Sequence, residues 1–261
     1  MKKMLILCVA IFLVVFHGAA QTRRALALSL GPAIPVGDFA SMNGFAPSSG
    51  LANVGALADL TYQRAFGHSR FGWMATLRGR FNGISKSATI APFAAQYPGY
   101  QWSMNNSHWI AASALAGGYY ELPLSKKLSL TANIELGVAE AWSPKQSVTG
   151  LRDSVGFGAV DGVQANLHSA SATAFTALAG LGIRYQLRGR WALLARVDYS
   201  WLKPTFNLKA TLINEQNFAI SGISSLASAT VVENTFSMRN YTQPMPCVEV
   251  MFGVIRELLN A

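Results

Sequence analysis

Histidine and serine occur together in the segment His168-Ser169-Ala170-Ser171. A histidine can act as a general base and a nearby serine as a nucleophile, which are the groups that acyl hydrolysis requires within hydrogen-bonding distance. The other histidines after residue 20 are His68 and His108, and the three are too scattered to have the spacing of a metal site. No acidic residue that would orient the base is evident. We therefore predict no catalytic residue, no metal and no cofactor.

The first twenty residues predict a secretory signal peptide. Lys2 and Lys3 form a basic start, residues 4–16 are apolar, and Gly18-Ala19-Ala20 supplies the small residues of a cleavage site. An apolar run of 13 residues is too short to cross a bilayer comfortably. We therefore predict a signal peptide at 1–20 and a mature domain at 21–261.

The composition of the mature domain narrows the class of protein. Only 13% of the residues are charged, compared with roughly 25% in soluble domains. Cys247 is the only cysteine after residue 20, so an intramolecular disulfide is excluded. No run of about 18 apolar residues follows the signal peptide, which excludes helical spans. The classes of protein that these observations leave open are a secreted β-rich protein and a membrane β-barrel.

Two segments show a long alternation of side-chain type. In 128–142 apolar residues alternate with mostly polar ones, and 191–201 repeats the pattern. A period of two predicts strands with two different faces. Strands of soluble proteins are usually about 5–6 residues long, whereas tilted membrane-crossing strands need about 9–11. The lengths therefore predict an all-β protein, a transmembrane antiparallel up-and-down β-barrel.

Eight segments fit this rule, and the connections between them alternate in length. The segments are 25–36, 54–66, 71–84, 109–122, 128–142, 172–187, 191–206 and 246–256. Short connections (67–70, 123–127 and 188–190) alternate with long ones (37–53, 85–108, 143–171 and 207–245). Such alternation is expected when one rim of a barrel faces the periplasm and the other faces outside. An even number of strands places both termini in the periplasm of a Gram-negative bacterium.

The alternation also predicts which charged residues lie inside the barrel. These are Asp59, Arg78, Arg80, Glu121, Glu135, Arg184, Arg196, Asp198 and Glu249. Five acids and four bases suggest a paired network, since lone buried charges are costly. The interior of an eight-stranded barrel has room only for its own side chains. We interpret these charges as structural packing rather than as an ion path.

Aromatic residues are concentrated near the ends of the predicted strands. Trp109, Trp142, Trp201 and Phe206 lie next to long loops, whereas Phe66, Phe71, Trp73, Tyr120, Tyr185 and Trp191 lie next to short turns. Two such bands match the aromatic girdles that outer-membrane barrels place at both interfaces.

The long loops carry the candidate partner-binding residues, which are Tyr97, Tyr100, Trp102, Phe218 and Phe236. The aromatics of 89–102 are suited to holding a protein or glycan partner, or to covering the barrel mouth. The longest loop has β-prone pieces at 209–213 and 230–236. It could form a hairpin above the membrane, or it could supply two further strands and make a ten-stranded barrel.

The segment Gly31-Pro32-Ala33-Ile34-Pro35-Val36-Gly37-Asp38-Phe39 is similar to the segment that closes the first strand in small barrels of Bacteroidota. With the layout above, the mature chain resembles eight-stranded outer-membrane barrels of the OmpA/OmpX type and, more narrowly, PorT-like barrels. Family members usually end on an aromatic residue, whereas Leu258 stands near the end here. The resemblance implies a setting in secretion or envelope biogenesis.

The expected function is that of a non-enzymatic integral outer-membrane barrel. It would act through its extracellular loops as a subunit or accessory of a larger envelope or secretion assembly. Expected partners are the lipid bilayer, including lipopolysaccharide, and other outer-membrane or periplasmic proteins. The chain is basic, with a formal net charge of +9, but it contains no nucleic-acid-binding motif, so we expect no nucleic-acid partner. Alternatives are a lipid A-modifying enzyme, although 168–171 lacks the His-x-Ser spacing of such barrels, and a narrow channel.

Overall fold

The computed structural model describes residues 23–46, 48–67, 69–105, 107–153, 160–216 and 230–258. The predicted signal peptide, His68 and Phe218 lie outside these ranges. Within them the elements are β1 (Arg24–Pro35), a 3-10 turn (Gly37–Ala40), β2 (Gly55–Ala65), β3 (Phe71–Gly83), α1 (Lys86–Gln96), β4 (Gln101–Met104), β5 (His108–Pro123), β6 (Leu128–Trp142), β7 (Gln146–Asp153), β8 (Val160–His168), β9 (Ser171–Gln186), β10 (Trp191–Leu202), β11 (Thr205–Gln216), β12 (Thr230–Thr242) and β13 (Cys247–Leu258).

Eight of these strands form a closed antiparallel barrel. Their order around the barrel is β1-β13-β10-β9-β6-β5-β3-β2, and β1 pairs with both β2 and β13. The predicted eight-stranded up-and-down barrel is confirmed. The ten-stranded alternative is wrong, because the additional strands pair with one another in a second sheet of order β12-β11-β8-β7-β4.

The barrel strands have one apolar face and one polar face, and the apolar face points outward. Along β10 every second residue from Trp191 is exposed, and the residues between them are buried. On β6, Ile134 is 67% exposed, whereas the neighbouring Asn133 and Glu135 are buried. This arrangement is the inverse of a soluble protein, since polar side chains fill much of the interior.

The connections between the barrel strands are short at one end of the barrel and long at the other end. Short turns join β2 to β3, β5 to β6 and β9 to β10, and two of them use glycines with positive φ, Gly67 and Gly189. These glycines adopt the left-handed conformation at little steric cost. The other connections carry all of the second sheet and α1, which therefore lie together at the opposite end of the barrel. Across the described ranges, no helix combines the length and the apolar character needed to cross a membrane.

Helix α1 lies within a connection that the sequence pattern presented as a loop. The Ser85 hydroxyl caps its first turn by accepting from the backbone N–H of Ala88, and the Thr89 hydroxyl donates to the Ser85 carbonyl at 2.8 Å. Pro92 lies inside the helix, where it cannot donate to the Ala88 carbonyl. Gly44 packs against that carbonyl so closely that a Cβ would lie 2.1 Å from the oxygen.

Candidate functional site

Arg78 is the centre of a charged cluster inside the barrel. Its Nε and Nη2 donate to the two carboxylate oxygens of Asp59 at 2.7 and 2.6 Å, and Nη2 also donates to Asp198 at 2.7 Å. Its Nη1 donates to Glu249. The Arg78 side chain is only 4% exposed, and its three carboxylate partners are 0–1% exposed. Four strands are thereby joined through one guanidinium.

Two further arginines complete this cluster. Arg196 contacts Asp59 at 2.7 Å and Asp198 at 3.0 Å. Arg80 contacts Glu249 at 3.2 Å and donates to the Ser200 hydroxyl at 3.0 Å. These charges lie deep in the barrel because inward residues of β2, β3, β10 and β13 meet at one level. Small inward residues make room for them, since a Cβ on Gly180 would lie 1.9 Å from the Asp198 carboxylate.

The remaining predicted lumen residues are distributed differently. Glu135 is buried and accepts from the Asn133 side-chain amide at 3.0 Å. Arg184 and Glu121 form a separate group near the short turns, 3.6 Å apart, and Arg184 also pairs with Glu257. Eight of the nine predicted residues thus fall into two ion-paired groups, and Glu135 is held by an amide outside both groups. Glu257 was missed because the predicted last strand ended at residue 256.

The barrel mouth on the long-loop side is filled by a core of large side chains. Phe39, Trp109, Phe206 and Met245 are almost completely buried there. The Trp109 indole N–H donates to the Gly50 carbonyl at 2.9 Å, and the Phe39 and Trp109 rings make an edge contact. The prediction that Trp109 and Phe206 belong to an outward aromatic band is wrong, because both side chains pack into this core.

Below the mouth, the described side chains also pack closely around Arg80. A cavity of about 20 Å³, enough for about one water molecule, remains next to Arg80, Ser200 and Glu249. The Arg80 guanidinium also lies 5.9 Å from the centre of the Phe39 ring. A packed charge cluster and an aromatic core therefore occupy successive levels of the barrel.

The histidine and serine of 168–171 do not form a pair. The His168 Nε2 atom lies 3.2 Å from the Thr211 hydroxyl, whereas the Ser169 hydroxyl donates to the Ser143 carbonyl at 2.6 Å. His108 begins β5 and makes an edge contact with the Phe81 ring. In the part of the chain that the structure describes, no group of three His, Cys, Asp or Glu residues is arranged to hold a metal.

The second sheet, here called the outer sheet, has one apolar and one polar face. Its apolar face packs onto the barrel mouth through Met104, Val148 and Leu208, which are buried. Leu208 and Ala210 lie opposite Met238 and Phe236 of β12, so these two residues belong to the same face. Phe236 is 55% exposed and Met238 is 48% exposed. The apolar face therefore extends beyond the surface that the barrel covers.

The predicted loop aromatics Tyr97, Tyr100 and Trp102 cluster at the opposite edge of the outer sheet. The rings of Tyr100 and Trp102 are 5.8 Å apart, and Tyr97 lies within 6.2 Å of each. The Arg152 guanidinium lies 5.3 Å from the Tyr100 ring. A Cβ on Gly150 would lie 2.6 Å from the Trp102 ring, so this tryptophan packs flat on β7. Tyr97 is the exposed member of the cluster.

The geometry defines a closed eight-stranded antiparallel barrel that carries a five-stranded sheet on one rim. No protein-family model matches the chain, and no curated protein matches it. Among solved structures, it is similar to a major outer membrane protein from Thermus thermophilus, with 11% identity, a TM-score of 0.43, and coverage of 92% of this chain and 100% of that one.

Two further structures show a similar level of likeness. Neisserial surface protein A (NspA) matches at 12% identity with a TM-score of 0.41, covering 93% of this chain and 100% of that one. Ail, the attachment invasion locus protein of Yersinia pestis, solved in complex with the heparin analogue sucrose octasulfate, matches at 12% identity with a TM-score of 0.39, covering 91% and 97%. These TM-scores are below 0.5, so the fold assignment depends on the strand pairing described above.

Proposed function

We propose that the chain is an integral outer-membrane barrel that holds a rigid partner-binding sheet outside the cell. The outward face of the barrel supports the membrane placement, because Leu, Ile, Val and Phe side chains cover it on all eight strands. In water such a surface would be unfavourable, whereas the hydrocarbon of a bilayer stabilises it. In this placement the short turns and both termini face the periplasm, and the outer sheet projects among the lipopolysaccharide headgroups.

The uncovered apolar face of the outer sheet is the observation that carries the binding function. Phe236 and Met238 are exposed on β12, although the same face is buried where it meets the barrel. Phe and Met are enriched at protein interfaces, and contiguous exposed apolar surface marks interaction sites. A sheet also presents these side chains in fixed positions, which lowers the entropic cost of binding. The expected partner is a protein of the envelope, with this chain as a subunit or accessory of a larger assembly.

The side chains packed in the lumen and the separated histidine favour this function over transport or catalysis. Conduction would require a water path past Phe39 and then past the Arg80–Glu249 pair. Acyl hydrolysis would require a base within reach of a serine, whereas His168 pairs with Thr211. Among the described residues, neither alternative has a supporting arrangement of side chains.

A quantitative pull-down tests the proposal. Tagged protein would be extracted from outer membranes in mild detergent, and co-purifying proteins would be quantified by mass spectrometry. The double variant Phe236→Ser/Met238→Ser removes the exposed apolar patch without touching the barrel. We expect a stoichiometric partner with the wild-type chain and a loss of about tenfold or more with the variant, since hot-spot side chains at an interface contribute about 2 kcal/mol or more.

Phe45→Ser is the matched control, because Phe45 is also exposed but lies in the connection between β1 and β2. Its partner yield should equal that of the wild-type chain. Equal recovery of a partner with the double variant would show that Phe236 and Met238 are not part of the binding surface. A wild-type chain that purifies without any stoichiometric protein would contradict the subunit role.

A further inference from the structure

The net charge of the barrel is concentrated at one end. The strand ends and turns of the short-turn side carry ten bases (Arg23, Arg24, Arg64, Arg70, Lys126, Lys127, Arg184, Arg188, Arg190 and Arg256) and two acids (Glu121 and Glu257) among the described residues. By sequence, the segments at the outer end carry six bases (Lys86, Lys145, Arg152, Lys203, Lys209 and Arg239) and six acids (Asp38, Glu140, Asp153, Asp161, Glu215 and Glu233). The short-turn end is therefore strongly basic, whereas the outer end is neutral.

Three of these arginines occupy outward register positions on adjacent strands. Arg24 of β1 lies directly opposite Arg64 of β2, and Arg256 of β13 lies opposite Leu26, two residues further along β1. Arg24 is half-buried, Arg64 is buried and Arg256 is exposed. We call these three residues the arginine sector. It lies on the wall of the barrel rather than on the tips of the turns.

Tryptophans flank the arginine sector on both sides. Trp73 of β3 lies opposite Arg64, and Trp191 of β10 lies opposite Arg256. The Arg256 guanidinium is 5.4 Å from the centre of the Trp191 ring. Tryptophan on the outside of a membrane barrel marks the level of the lipid headgroups, because its ring is amphipathic. The arginines are thus at the depth where lipid phosphates lie.

The like charges of the sector favour the binding of an anion. Arg24 and Arg256 are both cationic and lie at outward positions of the neighbouring strands β1 and β13, two residues apart in register. The Nε of Arg24 is buried and donates no hydrogen bond to any described residue. A phosphate would accept from several guanidinium groups at once, and arginine binds phosphate in a bidentate fashion. An anion next to these strands would be attracted by both positive charges and would satisfy the buried Arg24 donor.

We propose that the arginine sector binds the phosphate headgroup of an anionic phospholipid in the leaflet that meets the short turns. The inference rests on the proposed membrane placement. A lipid fits better than an acidic protein, because the exposed apolar side chains of Leu26 and Leu258 border the sector and would contact the acyl chains. A soluble acidic partner would instead meet the turn cations.

Native mass spectrometry of the full mature chain provides the test. The protein would be purified in detergent and mixed with phosphatidylglycerol or phosphatidylcholine of the same chain length. The triple variant Arg24→Gln/Arg64→Gln/Arg256→Gln is compared with Arg70→Gln/Arg188→Gln/Arg190→Gln, which loses the same charge from the turns. Each cation near an anionic surface contributes roughly a fivefold change in affinity, so the sector variant should lose phosphatidylglycerol adducts by about tenfold or more.

Folding is checked by heat-modifiable electrophoretic migration. If the triple variant does not fold, Arg256→Gln and its control Arg190→Gln replace it, because both side chains are exposed. Arg256→Gln should then lower phosphatidylglycerol binding by about fivefold, and Arg190→Gln should leave it within about twofold. Equal losses in sector and turn variants, or equal binding of the two lipids by the wild-type chain, would overturn the inference.

The failure of this inference can be distinguished from failure of the proposed function. A wild-type chain that inserts into phosphatidylcholine vesicles but shows no preference for phosphatidylglycerol would overturn only the arginine sector. A chain that inserts into neither kind of vesicle would overturn the membrane placement and the sector together.

Discussion

Replacement of Arg78 by methionine removes the guanidinium that joins three buried carboxylates. Asp59, Asp198 and Glu249 are 0–1% exposed, so water cannot replace the lost contacts without opening the barrel. Removal of one member of a buried ion pair costs about 3–5 kcal/mol, because the other charge stays buried without its partner. Arg196 still contacts Asp59 and Asp198, and Arg80 still contacts Glu249, so the variant leaves three carboxylates with two arginines. One buried charge is then uncompensated, and we expect a loss within this range.

Urea-induced unfolding in detergent micelles, followed by tryptophan fluorescence, measures this loss as a change in the free energy of unfolding. Arg190→Met is the matched control, because it removes an exposed arginine from a turn, and it should change stability by about 0.5 kcal/mol or less. Addition of Asp59→Leu to Arg78→Met leaves two carboxylates, Asp198 and Glu249, with two arginines, and should recover part of the loss because the buried charges balance again. A cost below about 1 kcal/mol for Arg78→Met would refute the role of this cluster in stability.

Three shorter predictions concern other parts of the molecule. Phe39→Ala should lower stability by about 3–5 kcal/mol yet give no steady conductance in planar bilayers, because the charge cluster still fills the lumen; an open channel would contradict this. Gly180→Ala should impair refolding because its Cβ would meet the Asp198 carboxylate, whereas Gly79→Ala, with open space around it, should refold normally; equal refolding would contradict the packing. Burial raises the pKa of Tyr241 from its usual value of 10.0, so the folded state keeps this proton more tightly and stability should fall as pH rises above that value. Tyr241→Phe should show a weaker fall, measured by urea unfolding at pH 9 and 11.

The barrel strands could be predicted from the sequence because apolar and polar side chains alternate at every second residue, which shows which residues share a face. In β10, Leu193 and Val197 alternate with Arg196 and Asp198, and this alternation fixes which face is inside. The alternation of short and long connections then gives the topology, because antiparallel neighbours need only a turn.

For strand β5, the sequence does not distinguish the inward face from the outward face. Its residues Trp109, Ile110, Ala111 and Ala112 are apolar or small on both faces, so nothing local distinguishes in from out. The inward position of Trp109 depends on the Phe39 core, which is formed by a distant loop.

The outer sheet could be predicted only in part, because its pairing is long-range. The β-prone pieces within 207–245 indicated the hairpin of β11 and β12. Strand β8, however, is stabilised by pairing with β11, more than forty residues away, as in the register of His168 with Lys209. Helix α1 could not be predicted, because Pro92 is typical of turns. In the structure Pro92 lies within the helix and leaves the Ala88 carbonyl without its helical donor, and Gly44 of the connection between β1 and β2 packs against this carbonyl.

Residue-specific labelling in intact cells tests the central claim most directly, namely that the barrel spans the outer membrane with its outer sheet outside. Cys247 is fully buried, so single cysteines can be introduced without a background signal. Leu151→Cys places a thiol on the outer sheet, and Lys126→Cys places one in a short turn. A membrane-impermeant maleimide should label Leu151→Cys in intact cells and Lys126→Cys only after the outer membrane is permeabilised. Labelling of Lys126→Cys in intact cells, or equal labelling of both variants, would contradict the account.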